Sequence, residues 1–300
     1  MQKPPVGQPI SIQRDVRCLL APNPGAMTHW GTNTYVVGTG QVAIIDPGPA
    51  DPNHLDAILR ATDSENISHI FVTHAHKDHC QLAIQLAEIS GAPILASAQV
   101  ATASRSNKAH HLGGGEGIDT ELRPDVIVEG GDAFEIGSCT ITAVHTPGHF
   151  AGHFAFRIKN SLFSGDHVFD WASSVISPPD GNLADFRATT RLLLGMNLER
   201  LMPGHGAAID NPNERLNWLL HHREKRENEI VSQLKDGQTT LSAMTTRIYG
   251  SLSPRLFMAA ERNVLAHLIY LIEKNNVISS EENLTRATFR WNWQLPEDQK

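Results

Sequence analysis

Residues Ile70 to Cys80 read Ile-Phe-Val-Thr-His-Ala-His-Lys-Asp-His-Cys, and this stretch decides the fold. The apolar run Ile70-Phe71-Val72 predicts a buried strand over Ile70 to Thr73, which opens directly into His74, His76, Asp78 and His79. A helix-like segment follows from Gln81 to Ser90, with Leu82, Leu86 and Ile89 at helical spacing. Neutral imidazoles and a carboxylate at a strand end suit a borderline-soft divalent metal, because the strand holds them rigidly. A solvated turn that is merely rich in histidine is the bland alternative, and the rest of the chain weighs against it.

Working outward, the pattern recurs. Thr32 to Val37 and Gln41 to Ile45 read as paired strands turned by Gly38-Thr39-Gly40, the second ending in Asp46-Pro47-Gly48. Asp46 is either an orienting partner for a metal-bound histidine or an Asx-turn acceptor. A helix from about Pro52 to Arg60 then leads to the opening motif. Beyond Asp125, short strands at 126–128, 133–136 and 139–145 run into Thr146-Pro147-Gly148-His149. Strands at 154–158 and 161–164 end in Gly165-Asp166-His167. A helix from Leu183 to Leu198, capped by Asn182, precedes Leu201-Met202 and Pro203-Gly204-His205-Gly206. Four short apolar strands thus each end in a metal-competent residue. If those ends share one edge, five histidines (74, 76, 79, 149, 205) and two aspartates (78, 166) converge. That is the ligand complement of two metals sharing a bridging carboxylate.

Composition sets the limits. Three hundred residues with 40% hydrophobic and 19% charged side chains bury a large core without disulfide staples. A formal charge of −7 argues against a chain dominated by nucleic-acid binding. The three cysteines, Cys18, Cys80 and Cys139, are too few and scattered for a disulfide framework, which points to a reducing, cytoplasmic setting. No apolar run approaches a membrane span and the start shows no leader-like core, so no membrane partner is expected. The Gly-rich segment 110–117 lacks a Gly-Lys-Ser/Thr ending, which excludes a phosphate loop; His110 and His111 read as solvated loop residues.

The ordered set Thr73-His74-Ala75-His76-Lys77-Asp78-His79, Thr146-Pro147-Gly148-His149, Ser164-Gly165-Asp166 and Pro203-Gly204-His205-Gly206 closely resembles the metallo-β-lactamase fold superfamily. The motifs span about the first seven tenths of the chain. The resemblance implies an α+β, four-layer αββα sandwich with the site at one edge of two packed sheets. It also implies two Zn2+ per chain: His74, His76 and His149 hold the first, Asp78, His79 and His205 the second, and Asp166 bridges them. Similar His/Asp sites also take Mn2+ or Fe2+. His76 stands where the flavo-diiron branch has a carboxylate, and Asp166 where zinc β-lactamases have cysteine. Both departures move the chain towards the glyoxalase II and ribonuclease Z side, leaving at most weak β-lactamase activity. Between His149 and His205 there is no room for a β-CASP insertion.

The implied activity is hydrolysis by a metal-bridging hydroxide that Asp78 orients, attacking an ester, thioester or lactone carbonyl of a small molecule. Accessory candidates are His153 and His167 as proton donors or supporting groups, Asn33 and Tyr35 near the predicted edge, and Trp171 as a pocket wall. Cys80 reads as a small buried helix residue, and no Gly-x-Ser-x-Gly elbow is present.

The tail is helical. Helices at Asn213 to Lys235, Thr240 to Tyr249 and Pro254 to Lys274 are followed by β-like segments at 277–280 and 285–293. This divides the chain into a catalytic domain, 1–212, and a small winged-helix-like domain, 213–300, similar to the β-lactamase-like protein 2 subfamily. Some members of that subfamily cleave single-stranded RNA, so a single-strand-selective endoribonuclease using the same metals is the alternative reading. Arg223, Lys225, Arg226, Arg247, Arg255 and Arg262 would form its basic track, diluted by Glu224, Glu227 and Glu229. Otherwise the tail caps the pocket or makes a homodimer contact. A non-catalytic winged-helix binder is disfavoured, since a relaxed site would be expected to lose at least one ligand.

Overall fold

A computed structural model describes residues 3–98 and 117–294. The stretch carrying His110 and His111 lies outside these described residues. Seven strands form the first sheet in sequence order: β1 (Ile10–Gln13), β2 (Val16–Leu20), β3 (Asn33–Thr39), β4 (Gln41–Ile45), β5 (Asn66–Phe71), β6 (Ile94–Ala96) and β7 (Val126–Ile127). β1 to β4 pair antiparallel and β4 to β7 parallel. The second sheet runs β12–β11–β10–β9–β8, built from β8 (Ala133–Ile136), β9 (Cys139–His145), β10 (Phe154–Ile158), β11 (Ser161–Gly165) and β12 (Arg200–Pro203).

Strand alternation explains the layers. Along β4, Val42 and Ile44 face α1 (Pro52–Ala61) and α3 (Ala83–Ser90), where Leu55, Ile58, Leu82 and Leu86 cover them. Ala43 and Ile45 face the other way and pack with Phe71, Phe156, Phe163 and Met202 between the sheets. A strand buried on both faces reads as a continuous apolar run, which is the pattern of Ile70-Phe71-Val72. The outer face of the second sheet, Ala155, Leu162 and Leu201, is covered by α4 (Leu183–Leu194) and by Leu216 and Leu219 of α5 (Pro212–Asp236). Helices, sheet, sheet and helices follow in that order, the expected αββα sandwich.

Several expected boundaries shift. The helix expected over Gln81 to Ser90 is α3, starting at Ala83, and a separate single turn, α2 (Lys77–Cys80), precedes it within the ligand motif itself. α4 stops at Leu194, not Leu198, where Gly195 caps it. Beyond α5 come β13 (Thr239–Thr240), α6 (Leu241–Tyr249), α7 (Pro254–Glu273), β14 (Val277–Ser279) and β15 (Thr288–Trp291), the strands ordered β13–β15–β14. Met244, Val264, Leu268, Phe289 and Trp291 make their core together with Ile230 and Leu234 of α5. The first half of α5 thus packs on the sandwich and its second half on the winged helix. Among the described residues no helix is long and apolar enough to cross a membrane.

Both sheets end at one edge. There the backbone stitches them together: Phe154 N–H donates to Thr73 O at 2.8 Å, and Asn33 N–H to Gly204 O at 2.8 Å. The segments leaving β4, β5, β9, β11 and β12 therefore emerge side by side.

Candidate metal centre

Those segments bring together His74, His76, His149 and Asp166 as one group, and Asp78, His79 and His205 as a second. Within each group the donor atoms all lie within 4.8 Å of one another. In the first, His76 Nδ1 sits 2.8 Å from His74 Nε2 and 3.1 Å from His149 Nε2. In the second, His205 Nε2 is 3.2 Å from His79 Nε2 and 3.3 Å from Asp78 Oδ2. Asp166 lies between them. Its Oδ2 is 3.9 Å from His74 Nε2 and 3.7 Å from His149 Nε2; its Oδ1 is 3.1 Å from His79 Nε2 and 3.6 Å from His205 Nε2.

The tautomers follow from the partners on the far side of each ring. Thr73 donates its hydroxyl hydrogen to Asp46 Oδ2 at 2.8 Å, so it accepts from His74 Nδ1 at 2.9 Å. His79 Nδ1 faces Asp46 Oδ2 at 2.8 Å, His149 Nδ1 faces Val175 O at 2.7 Å, and His205 Nδ1 faces Gly31 O at 3.1 Å. Each of these partners only accepts, so each neutral ring carries its hydrogen on Nδ1. The Nε2 lone pairs of four histidines therefore converge on a buried carboxylate. Lone pairs facing each other at about 3 Å repel unless a cation stands between them. The donor set fits a divalent metal, and this is the pattern that fixes ligand histidines.

Electrostatics agree. Burial, then the neighbouring imidazoles, hold His74 well below the ordinary histidine value, and burial above all takes His76 down to about 3. Burial also opposes charge on His79, yet Asp166, Asp78 and Asp46 around it raise its pKa well above the usual range, so with no metal present a proton on Nε2 supplies the positive charge that a bound cation would otherwise supply there. Burial pushes Asp166 upward, but His79 and His205 win and hold it well below the carboxylate range. Asp166 Oδ1 is buried without a hydrogen-bond partner. Leaving such an oxygen bare costs on the order of 1–3 kcal/mol, which a bound cation would offset.

The accessory candidates take other places. Asp46, at φ 51°, folds its carboxylate back to accept from Thr73 N–H, Thr73 Oγ and His79 Nδ1, so it orients His79. Aspartate and asparagine tolerate this left-handed backbone, so Asp46→Asn tests the carboxylate alone. It is expected to lower affinity for the ion beside His79 about 10–100-fold, read by metal titration. His153 accepts from Asp166 N–H at 3.2 Å and contacts Thr146 Oγ at 2.7 Å, which fixes the backbone of Asp166. His167 is fully buried, 3.1 Å from Thr190 Oγ and tilted against the Phe186 ring with centroids 4.5 Å apart, and is not among the cavity-lining side chains. Asn33 Nδ2 donates to Pro203 O and Gly206 O at 2.9 Å, and Tyr35 Oη to Pro203 O at 2.8 Å; both brace the turn that carries His205. Trp171 stacks on His29 with centroids 4.8 Å apart and is not among the cavity-lining side chains.

The donors His76, Asp78, His149, Asp166 and His205 open into a cavity of about 610 Å³. Its other walls are the 23–28 loop, Val175 to Asp180, and Arg255, Met258, Ala259 and Arg262 of α7. The sequence offered no signal for the 23–28 loop. For α7 it offered the capping role and, in Arg255 and Arg262, two members of the expected basic track. The expected basic track needs one correction: Arg223 is 1% exposed and cannot meet a phosphate.

A four-layer αββα sandwich with a His/Asp donor set at its sheet edge defines a metal-dependent hydrolase. The chain belongs to the metallo-β-lactamase superfamily: the family profile "Metallo-beta-lactamase superfamily" matches residues 27–205, and "Beta-lactamase associated winged helix domain" matches residues 240–291. It is 31% identical over 297 residues to a beta-lactamase-like protein 2 homolog of Caenorhabditis elegans, covering 95% of this chain and 92% of that one. It is 29% identical over 267 residues to the lactamase-like protein ptaB of Pestalotiopsis fici, covering 84% and 78%. A beta-lactamase domain protein from Burkholderia ambifaria shares the fold at a TM-score of 0.80 and 21% identity, over 96% of this chain and 95% of that one. A metallo-beta-lactamase family protein from Thermus thermophilus does so at 0.77 and 22%, over 94% and 100%.

Proposed function

We propose that this protein is a dinuclear, zinc-dependent hydrolase of small-molecule esters, thioesters or lactones, working in the cytoplasm. Residues 1–212 would form its catalytic unit and 213–300 the winged-helix unit that closes its cavity. The observation that carries the reading is Asp166, whose two oxygens each face a separate donor group and which itself lines the cavity. Metals held there would supply Lewis acidity and bring the pKa of a water down to about 7.

The chain's own residues do the rest. Asp78, partly exposed and lining the cavity, turns Oδ2 to His205 and is placed to take a hydrogen bond from the attacking water and hold its proton. Asp166 keeps the two donor groups at fixed separation. Met258 and Val175 offer apolar wall to an acyl chain, while the charges of Arg255 and Arg262 favour an anionic group in the same cavity.

Those two arginines are also what favours the second reading, cleavage of single-stranded RNA. A cavity of about 610 Å³ is a small-molecule volume, which ranks the ester reading first. The deciding assay offers the zinc-loaded chain a thioester and lactone panel alongside single-stranded RNA. Turnover of a small ester that a chelator abolishes and zinc restores, with RNA intact, is the expected result. Chelator-sensitive RNA cleavage without ester turnover would replace the reading with the second.

A further inference from the structure

His149 depends on a segment that no strand holds. Its Nδ1 meets Val175 O at 2.7 Å and Ser174 Oγ at 3.1 Å, both in the irregular 166–182 connection between β11 and α4. That connection is pinned from the far side. Asn263 Oδ1, on α7, accepts from Ile176 N–H at 3.0 Å and from Arg223 Nη1 at 2.9 Å. Arg223, on α5, donates through Nη2 to Ser174 O. Three consecutive residues are therefore fixed in turn: Ser174 by Arg223, Val175 against His149, and Ile176 by Asn263.

We propose that Arg223 and Asn263 are positioning residues for His149, acting through Ser174 to Ile176, so that the C-terminal helices complete the metal site. This rests on the metal-centre reading above and adds to it. Burying a guanidinium is costly, and helix packing alone would be met by leucine or methionine. Burial pushes the Arg223 pKa down to about 10, and its side chain lies over the Phe186 ring at 5.0 Å. Its hydrogen bonds go to Ser174 O and Asn263 Oδ1, the two anchors that flank the carbonyl holding His149. A charge retained at such cost, with its bonds aimed at those two atoms, is placed for geometry.

The test compares full-length wild type with Asn263→Leu and Asn263→Asp, reading zinc affinity by chelator competition and the visible spectrum of the cobalt-loaded proteins. Asn263→Leu leaves Ile176 N–H and Arg223 without their shared acceptor. It is expected to weaken one ion about 10–100-fold, shift its cobalt bands and leave the second ion alone. Asn263→Asp keeps an oxygen for both donors and is expected to stay within about threefold of wild type. A merely structural role would change melting temperature without selecting one of two ions. Folded Asn263→Leu with both affinities and the cobalt spectrum unchanged overturns the proposal. Should Asn263→Leu not fold, Arg223→Lys, whose ammonium cannot span both acceptors, is read for the same two outcomes. Wild type that binds no metal would overturn the functional reading instead.

Discussion

On the dinuclear reading proposed above, Asp166→Asn is expected to lose one of the two ions and at least about a thousandfold in kcat/KM, equivalent to about 4 kcal/mol of transition-state stabilisation. The substitution keeps size and shape, so backbone and packing should survive. Asp166 N–H remains anchored on His153 Nε2 at 3.2 Å, and the strand β11 before it is buried throughout. What changes is the pair of oxygens. Asparagine keeps one oxygen for one donor group and turns an NH2 towards the other, where His79 and His205, or His74 and His149, already present lone pairs. An NH2 hydrogen can satisfy one such lone pair, but it cannot bind a cation. Metal content per chain and steady-state kinetics on the same sample check the result. Two ions retained with a rate within tenfold of wild type would remove Asp166 from the bridging role.

The legibility of this site in the sequence has a physical basis. Strand ends hold ligands rigidly, so each metal-competent residue follows a short apolar run, and His149, Asp166 and His205 could be found by looking behind the strands. Asp46 was visible for the same reason, although only its contact with His79 separates an orienting carboxylate from an Asx turn. β1 and β2 carry no such marker. β1 is an edge strand with no fully buried residue, so its hydrophobic pattern is too weak to see. Arg223 shows the opposite failure. It sits in His222-Arg223-Glu224-Lys225-Arg226, a charged run that put it in the expected basic track, yet its side chain turns into the junction with Asn263 and Ser174. Sequence spacing cannot reveal that, because α5 is covered by the sandwich at one end and by the winged helix at the other. The cavity walls fail for a related reason: the 23–28 loop and α7 meet only in three dimensions.

Gly204→Ala carries the second large effect, and here one added methyl group decides it. A Cβ at this position would lie 2.6 Å from His79 Cε1 and 2.7 Å from Asp166 Oδ1. Both distances are well inside van der Waals contact, so something must move. His79 is held from behind by Asp46, and Asp166 by the buried end of β11, so neither gives way cheaply. The glycine at 204 has no left-handed backbone to explain it, unlike Gly206 at φ 88°. Space alone accounts for it: the chain approaches the metal site so closely that no side chain fits. The expected outcome is loss of the ion beside Asp78, His79 and His205, and a fall in activity of at least about a hundredfold, some 3 kcal/mol. Of the first group only Asp166 meets the new methyl, through Oδ1, whereas His74, His76 and His149 are not among the atoms it would press on; on the dinuclear reading proposed above, their ion should therefore still bind. A chelator titration would therefore show one ion at near wild-type affinity and the other absent. An alanine variant that kept both ions and full turnover would overturn the argument that the close approach of Gly204 to His79 and Asp166 is needed for the site.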